Sequence, residues 1–262
     1  MCAISGIIIT LNEENNIAEA ILSLQQICDE IIVVDSESTD NTVAIATGLG
    51  AKVIISPYSG DGIQKNKGIT EVTHDWIFCL DADERIMPEL ANMINTLDLH
   101  HSQYAGYAVR RRNFIGDRWI RCCGWYPDYV VRLFNRHKTR YAASKQHAAV
   151  PFTHCFKLKA DLLHYSYHHI GELFAKPNRN FSTRSAKILF LKGKKVTVFA
   201  PFCHGLWAFI VNYFFKKGIF SGLDGLTLAL SMAQNSYLKY AKLIEYYRDK
   251  TVRNNENFEE VW

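Results

Sequence analysis

The first hundred residues alternate short apolar runs with polar breaks at a spacing that predicts strand–helix–strand units. Ile4–Thr10 is a largely β-branched run, as expected of a strand covered on both faces of a parallel sheet. After a polar turn at Leu11–Asn15, apolar residues at 17, 18, 21, 22 and 24 trace one face of a helix over Ile17–Ile27. Ile31–Asp35 reads as a second strand, and Ser38 or Asp40 as the cap of a helix from Thr42 to Leu49. Val53–Ser56 is a third strand. Trp76–Leu80 is a fourth, ending in Asp81-Ala82-Asp83, and Pro88–Leu97 is a helix with proline at its first position. The alternation predicts an α/β fold with a mostly parallel sheet flanked by helices. Tyr104–Arg140 reads as further strands and loops, followed by a mixed segment to about His169.

The last third has a different texture. Val196–Phe215 is almost uncharged, and a second apolar run covers Gly218–Tyr240 after Lys216–Lys217. Twenty residues suffice to cross a bilayer, but Pro201, His204 and Asn212 interrupt the first run. Basic residues flank it on both sides, which favours helices lying on an anionic surface over a span or simple packing on the rest of the chain. The expected division is a catalytic domain over 1–170 (donor half 1–97, acceptor half 98–170) and a helical, apolar and basic extension over 171–262.

Composition changes this picture little. The 262 residues are 48% hydrophobic and 21% charged, which fits a packed chain. The net charge of +4 is too small to argue for nucleic acid, but its distribution is uneven: between Lys157 and Lys217 there are eleven Lys or Arg against Asp161 and Glu172. Seven cysteines without a CxxC pair read as reduced thiols. The start, MCAISGIIITLNEE, lacks the basic region of a signal peptide and reads as the opening strand.

Candidate chemistry gathers at the ends of the proposed strands: Thr10–Glu14, Asp35–Asp40 and Asp81–Asp83. Open α/β sheets bind ligands at that edge. Two carboxylates at one strand end suit a hard cation such as Mg²⁺ or Mn²⁺, which can bridge the phosphates of a leaving diphosphate. Capping of the helix at Pro88 by Asp83 or Glu84 is the plainer alternative. Lys65, between the third and fourth strands, can set an ammonium beside a diphosphate or stand solvated at the surface. Arg110–Arg112 and Arg132 fit an anionic acceptor and strand-edge solvation equally well. An N-terminal glycine-rich phosphate loop, as a nucleotidylyltransferase would need, is missing from Ile7–Asn15.

The ordered set IIITLNEE (7–14), IIVVDSESTDNT (31–42), GIQKN (62–66), FCLDADER (78–85) and GWYPDYVVRLF (124–134) resembles glycosyltransferase family 2, and within it the bacterial lipopolysaccharide core β-1,4-glucosyltransferases. The resemblance covers nearly the whole chain. It implies a GT-A, Rossmann-like fold, a nucleotide-sugar donor such as UDP-glucose, and inversion at the anomeric carbon. It assigns Thr10, Glu13 and Asp35 to the nucleoside, Lys65 and Asp81 to the diphosphate side, Asp83, Asp81 and His147 to the metal, and Asp128 to the catalytic base. The family often has glutamate after that histidine, where this chain has Ala148. The expected partners are the donor, a lipid-linked saccharide acceptor and a cytoplasmic membrane surface, with no nucleic acid, placing the enzyme peripherally on the inner face of a bacterial inner membrane. A polyprenyl-phosphate glycosyltransferase and a catalytically silent sugar-nucleotide binder are the alternatives.

Overall fold

The computed structural model describes residues 2–142, 149–151, 153–177 and 181–251, and the chain divides into two compact units. The first comprises Met1–Arg112 and Pro127–Tyr165, the second Asn113–Tyr126 and Ser166–Trp262.

In the first unit, β1 (Ile4–Thr10), β2 (Glu30–Asp35), β3 (Lys52–Ile55) and β4 (Trp76–Asp81) pair in parallel in the order β3-β2-β1-β4. Helices α1 (Ile17–Leu24), α2 (Thr42–Gly48), α3 (Asp61–Thr70) and α4 (Pro88–Asn95) connect or follow them. Beyond β4 the sheet becomes antiparallel: β8 (Asp128–Asn135) pairs with β4, and β6 (Gly106–Ile115) pairs with β8. Strand β9 (Cys155–Tyr167) follows β6, and the short β5 (Glu84–Ile86) closes the order by pairing antiparallel with β9. The parallel half is as the periodicity predicts, and the sheet as a whole is mixed.

Why β1 and β4 read as continuous apolar runs is clear from their burial. One side packs Ile4, Ile8, Phe78 and Leu80 against Ile17, Ile21, Leu24 and Leu90, and the other packs Ile7, Ile77 and Cys79 with Val34 and Phe134. Helix α3 lies tightly on that second side because Gly68 has no side chain: a Cβ there would come within 2.8 Å of Ile7 Cγ2. That approach turns Gln64 and Lys65, on the same helical face, inward.

Among the described residues the second unit holds β7 (Arg118–Trp119), paired with the end of β6, and the helices α5 (Ile170–Pro177), α6 (Thr183–Leu191), α7 (Ala200–Ile210) and the long α8 (Gly222–Arg248). Ile115, Ile120, Cys122, Cys123, Leu173 and Leu228 form one core of it, and Ala186, Leu243 and Tyr246 another. The apolar run 196–215 is divided between α7 and a π-helical turn, Val211–Phe215, and a 3-10 turn at Gly218–Ser221 precedes α8. Among the described residues no helix is long and apolar enough to cross a membrane.

Candidate functional site

All the described candidate residues lie in the first unit, at the edge where β1, β2 and β4 end. Thr10 closes β1 and donates its hydroxyl to Asp35 Oδ2 at 2.8 Å. Asp35 closes β2, is fully buried, and accepts further bonds from the backbone N–H and the hydroxyl of Ser38 (2.8 and 2.6 Å). The loops after these strands are laced together. The Glu13 N–H donates to Thr42 Oγ1, the Glu14 N–H to Asp40 Oδ2, and the Asn12 N–H to Ser38 Oγ. The N-cap of α2 is Asn41, with no side-chain cap bond, and Asp40 accepts instead from the N–H of Thr42, the first residue of α2, while gripping the neighbouring loop. Thr10, Glu13 and Asp35 are thus brought together, with Asp35 acting inside the loop framework.

Across the edge, α3 delivers Gln64 to Ser36 Oγ (3.0 Å) and Lys65 to Asp81 Oδ1 (2.7 Å). The second oxygen of Asp81 accepts from Arg132 Nη2 at 2.5 Å, and the same guanidinium reaches Glu84 Oε1. Glu84 lies 3.6 Å from Arg111 Nη1, and Arg111 holds Asp128 Oδ2 through Nη2 and Nε at 2.7 and 2.9 Å. The result is a row of alternating charge, Lys65–Asp81–Arg132–Glu84–Arg111–Asp128. Three cations balance three anions.

The sheet topology explains the row. Strand β8 runs antiparallel to β4, so its beginning, Asp128, lies toward the end of β4 that carries Asp81. Arg111 of β6 is directly opposite Asp128 in the β6–β8 ladder, the register in which opposite charges pair across strands. Arg85 fixes the intervening turn by donating to the carbonyls of Ala82 and Glu84.

Burial gives the row its strength. The side chains of Lys65 and Arg132 are only 5% exposed and that of Glu84 is fully buried. Burial by itself pushes the Asp81 carboxyl up, but Arg132 and Lys65 outweigh it and hold the group well below the usual carboxylate range. Burial likewise pulls the Lys65 ammonium down, and the adjoining Asp81 reverses this, raising it above the ordinary lysine range. Arg132 is therefore not a solvated strand-edge residue, and among the described residues its buried Nε has no hydrogen-bond partner. The Lys65 ammonium and the Arg132 guanidinium are cationic groups of the kind that balance a diphosphate.

The candidate for holding a cation is Asp83. Its Oδ2 lies 3.4 Å from Nε2 of His164, which β9 places opposite β5, and its carbonyl accepts from the Tyr165 N–H at 2.9 Å. A carboxylate and an imidazole this close suit a single divalent ion that completes its shell with phosphate oxygens and water. Asp81, by contrast, has both oxygens engaged by cations. His147 lies outside the described residues. Among the described residues no cluster of three or more metal-ligating side chains forms. A cleft of about 390 Å³, lined by His74, Asp75, Trp76 and Lys138, opens at the opposite end of β4 and contains none of these residues.

Sequence reasoning missed four participants. Glu84 looked like a helix cap, Arg111 and Arg132 could not be told from solvated arginines, and His164 was one of ten histidines.

The family model for glycosyl transferase family 2 matches residues 5–165. An uncharacterized glycosyltransferase of Rickettsia typhi is 36% identical over 94% of this chain and 88% of its own length. The lipopolysaccharide core biosynthesis glycosyltransferase LpsC of Rhizobium meliloti is 28% identical over 96% of this chain and 95% of its own. Among solved structures, glucosyl-3-phosphoglycerate synthase from Mycobacterium tuberculosis, with Mn²⁺, UDP and glucosyl-3-phosphoglycerate, matches at 25% identity and a TM-score of 0.35, over 43% of this chain and 44% of that one.

Proposed function

This chain belongs to glycosyl transferase family 2, and from that premise we propose that it moves a hexose, glucose from UDP-glucose, with inversion onto a lipopolysaccharide or lipooligosaccharide core acceptor. It is a glycosyltransferase with a GT-A-like mixed sheet flanked by helices. The full-length likeness to LpsC supports the acceptor class. The acceptor is lipid-linked, and transfer takes place at the inner face of the bacterial inner membrane. In this reading residues 1–97 serve the donor and 98–170 the acceptor.

The observation that carries the chemistry is the placement of two buried cations, Lys65 and Arg132, on Asp81 beside the Asp83–His164 pair. A divalent ion bound by Asp83 and His164, with Asp81 behind them, would neutralise charge on the leaving diphosphate. The mixed oxygen and nitrogen donor set favours Mn²⁺ over Mg²⁺. Lys65 and the Arg132 guanidinium balance the diphosphate charge, and Thr10, Glu13 and Asp35 shape the loops that receive the nucleoside. Inversion is a single displacement: the acceptor hydroxyl oxygen bonds to the anomeric carbon as the bond to the diphosphate breaks. Asp128 takes the hydroxyl proton late, when the oxygen has become acidic. Arg111 keeps that carboxylate aimed.

A panel of nucleotide sugars, read by release of nucleoside diphosphate with and without Mn²⁺, tests the donor and the metal together. The expected result is Mn²⁺-dependent release from UDP-glucose, lost in Asp83→Asn. Full activity of that variant in chelator would sink the reading. Polyprenyl phosphate is the second acceptor to compare, because the basic, acid-free segment after Glu172 suits an anionic lipid equally.

A further inference from the structure

Helix α7 is apolar all round, yet only one of its faces is covered. Pro201, Gly205 and Asn212, spaced along one side of α7 and the turn that follows it, are buried. Gly205 permits the close approach to α8: a Cβ there would lie 3.2 Å from Tyr237 Cβ. The opposite side carries Phe199, Phe202, Leu206 and Trp207, which are 72, 65, 49 and 60% exposed, at the i, i+3, i+7 and i+8 positions of a single helical stripe. The segment that follows adds Phe214 and, before α8, Phe220, the latter 83% exposed. Isolated exposed apolar residues are ordinary, but a continuous stripe of this size marks an interaction surface.

Charge identifies what covers it. From Leu173 to Leu223 the chain contains no Asp or Glu, while Lys192, Lys194 and Lys195 precede the stripe and Lys216 and Lys217 follow Phe214. All five of these lysines are exposed. The first acid after Glu172 is Asp224, which pairs with Arg118 at 3.0 Å. A second copy of the chain is a poor occupant, since a self-complementary contact would set these lysines against themselves. Aromatic and leucine side chains between lysine clusters, on a helix too short to cross a bilayer, match the interface of an anionic membrane.

We propose that the outer face of α7 and the turns after it form a docking surface for anionic phospholipid, with the aromatics seated at the headgroup–acyl boundary and the lysines on the phosphates. This rests on the lipid-linked acceptor reading for its purpose, but its test does not depend on that reading. Full-length protein is sedimented with vesicles of equal parts phosphatidylethanolamine and phosphatidylglycerol, and with phosphatidylcholine vesicles. Binding to the anionic vesicles alone is expected, with a blue shift of tryptophan fluorescence and loss at high salt. Phe202→Ser with Trp207→Ser should weaken partitioning by about tenfold or more for each aromatic removed, and Lys216→Glu with Lys217→Glu should weaken it at low salt. Both double variants should keep the wild-type circular dichroism and the wild-type release of UDP from UDP-glucose. Equal binding to both vesicle types, no binding, or full binding by folded variants would overturn the proposal, as would a stable dimer in sedimentation velocity that the aromatic substitutions dissociate. Failure of the donor reading would appear separately, as absent UDP release with vesicle binding intact.

Discussion

Asp128 and Arg111 face each other across two antiparallel strands, and in the proposed mechanism the base function of one depends on the aim given by the other. Arg111 touches Asp128 through two nitrogens and also lies near Glu84, so it is a positioning residue held from both sides. Arg111→Gln should lower kcat by roughly 10–100-fold while leaving the affinity for UDP-glucose close to wild type, because the proposed donor contacts are Lys65 and Arg132 and not Arg111. Arg111→Lys should recover part of the rate, since a point charge replaces a planar fork. Steady-state kinetics with a saturating acceptor decide this, and an equal loss of donor affinity would count against the assignment.

Asp81 makes a second prediction at the same scale. Its carboxyl is held well below the usual range in the folded chain, so the folded state binds fewer protons than the unfolded one. Its stabilisation is therefore fully present above the ordinary carboxylate value and is lost as pH falls through the depressed folded value. Asp81→Asn leaves two buried cations with one fewer partner, which should cost about 3 kcal/mol and lower Tm by roughly 10 °C at neutral pH. The gap in Tm between wild type and variant should shrink once the pH drops below about 4. A gap that widens in acid would reverse the sign and disprove the pairing.

Among the elements, α3 decides whether the site forms. Its sequence, DGIQKNKGIT, has few apolar positions, which is why no helix was legible there and why Lys65 could be read as solvated. Its helical character comes from packing: Gly68 seats it on Ile7 and Val34, and Gln64 and Lys65 then point inward to polar partners. Gly68→Val would force the helix outward by overpacking, at a cost of about 1–3 kcal/mol. Thermal unfolding with donor titration should show both lower stability and weaker UDP binding. Unchanged UDP affinity would mean that α3 does not position the diphosphate site.

Strands β1, β2 and β4, by contrast, were legible from their apolar runs, as were α1 and α4 from spacing and the leading proline. The short β5 was hidden because Glu84-Arg85-Ile86 has the composition of a helix-capping turn. It exists through its pairing with β9, about eighty residues away in sequence, and no local pattern reports such a partner.

For the whole molecule, the change from parallel to antiparallel pairing after β4 is what gathers the proposed donor and acceptor groups at one edge. The parallel half brings strand ends, with Thr10, Asp35 and Asp81, to the edge. The antiparallel half brings a strand beginning there, with Asp128. The sequence showed the first set as acids and hydroxyls ending apolar runs. The second was legible only through the family resemblance, because its alignment depends on the β4–β8 register. His164 and Arg132 were beyond sequence reasoning for the same reason: their partners, Asp83 and Asp81, lie far along the chain, well outside the window that periodicity reads.

The central claim is that this edge transfers a hexose using Asp128 as the base. The most direct test measures transfer from radiolabelled UDP-glucose to a lipopolysaccharide core acceptor, alongside equilibrium UDP-glucose binding, in wild type and Asp128→Asn with Mn²⁺ present. Transfer by the variant should fall by about 10²–10⁴-fold with donor binding retained. Transfer at the wild-type rate by Asp128→Asn would contradict the account.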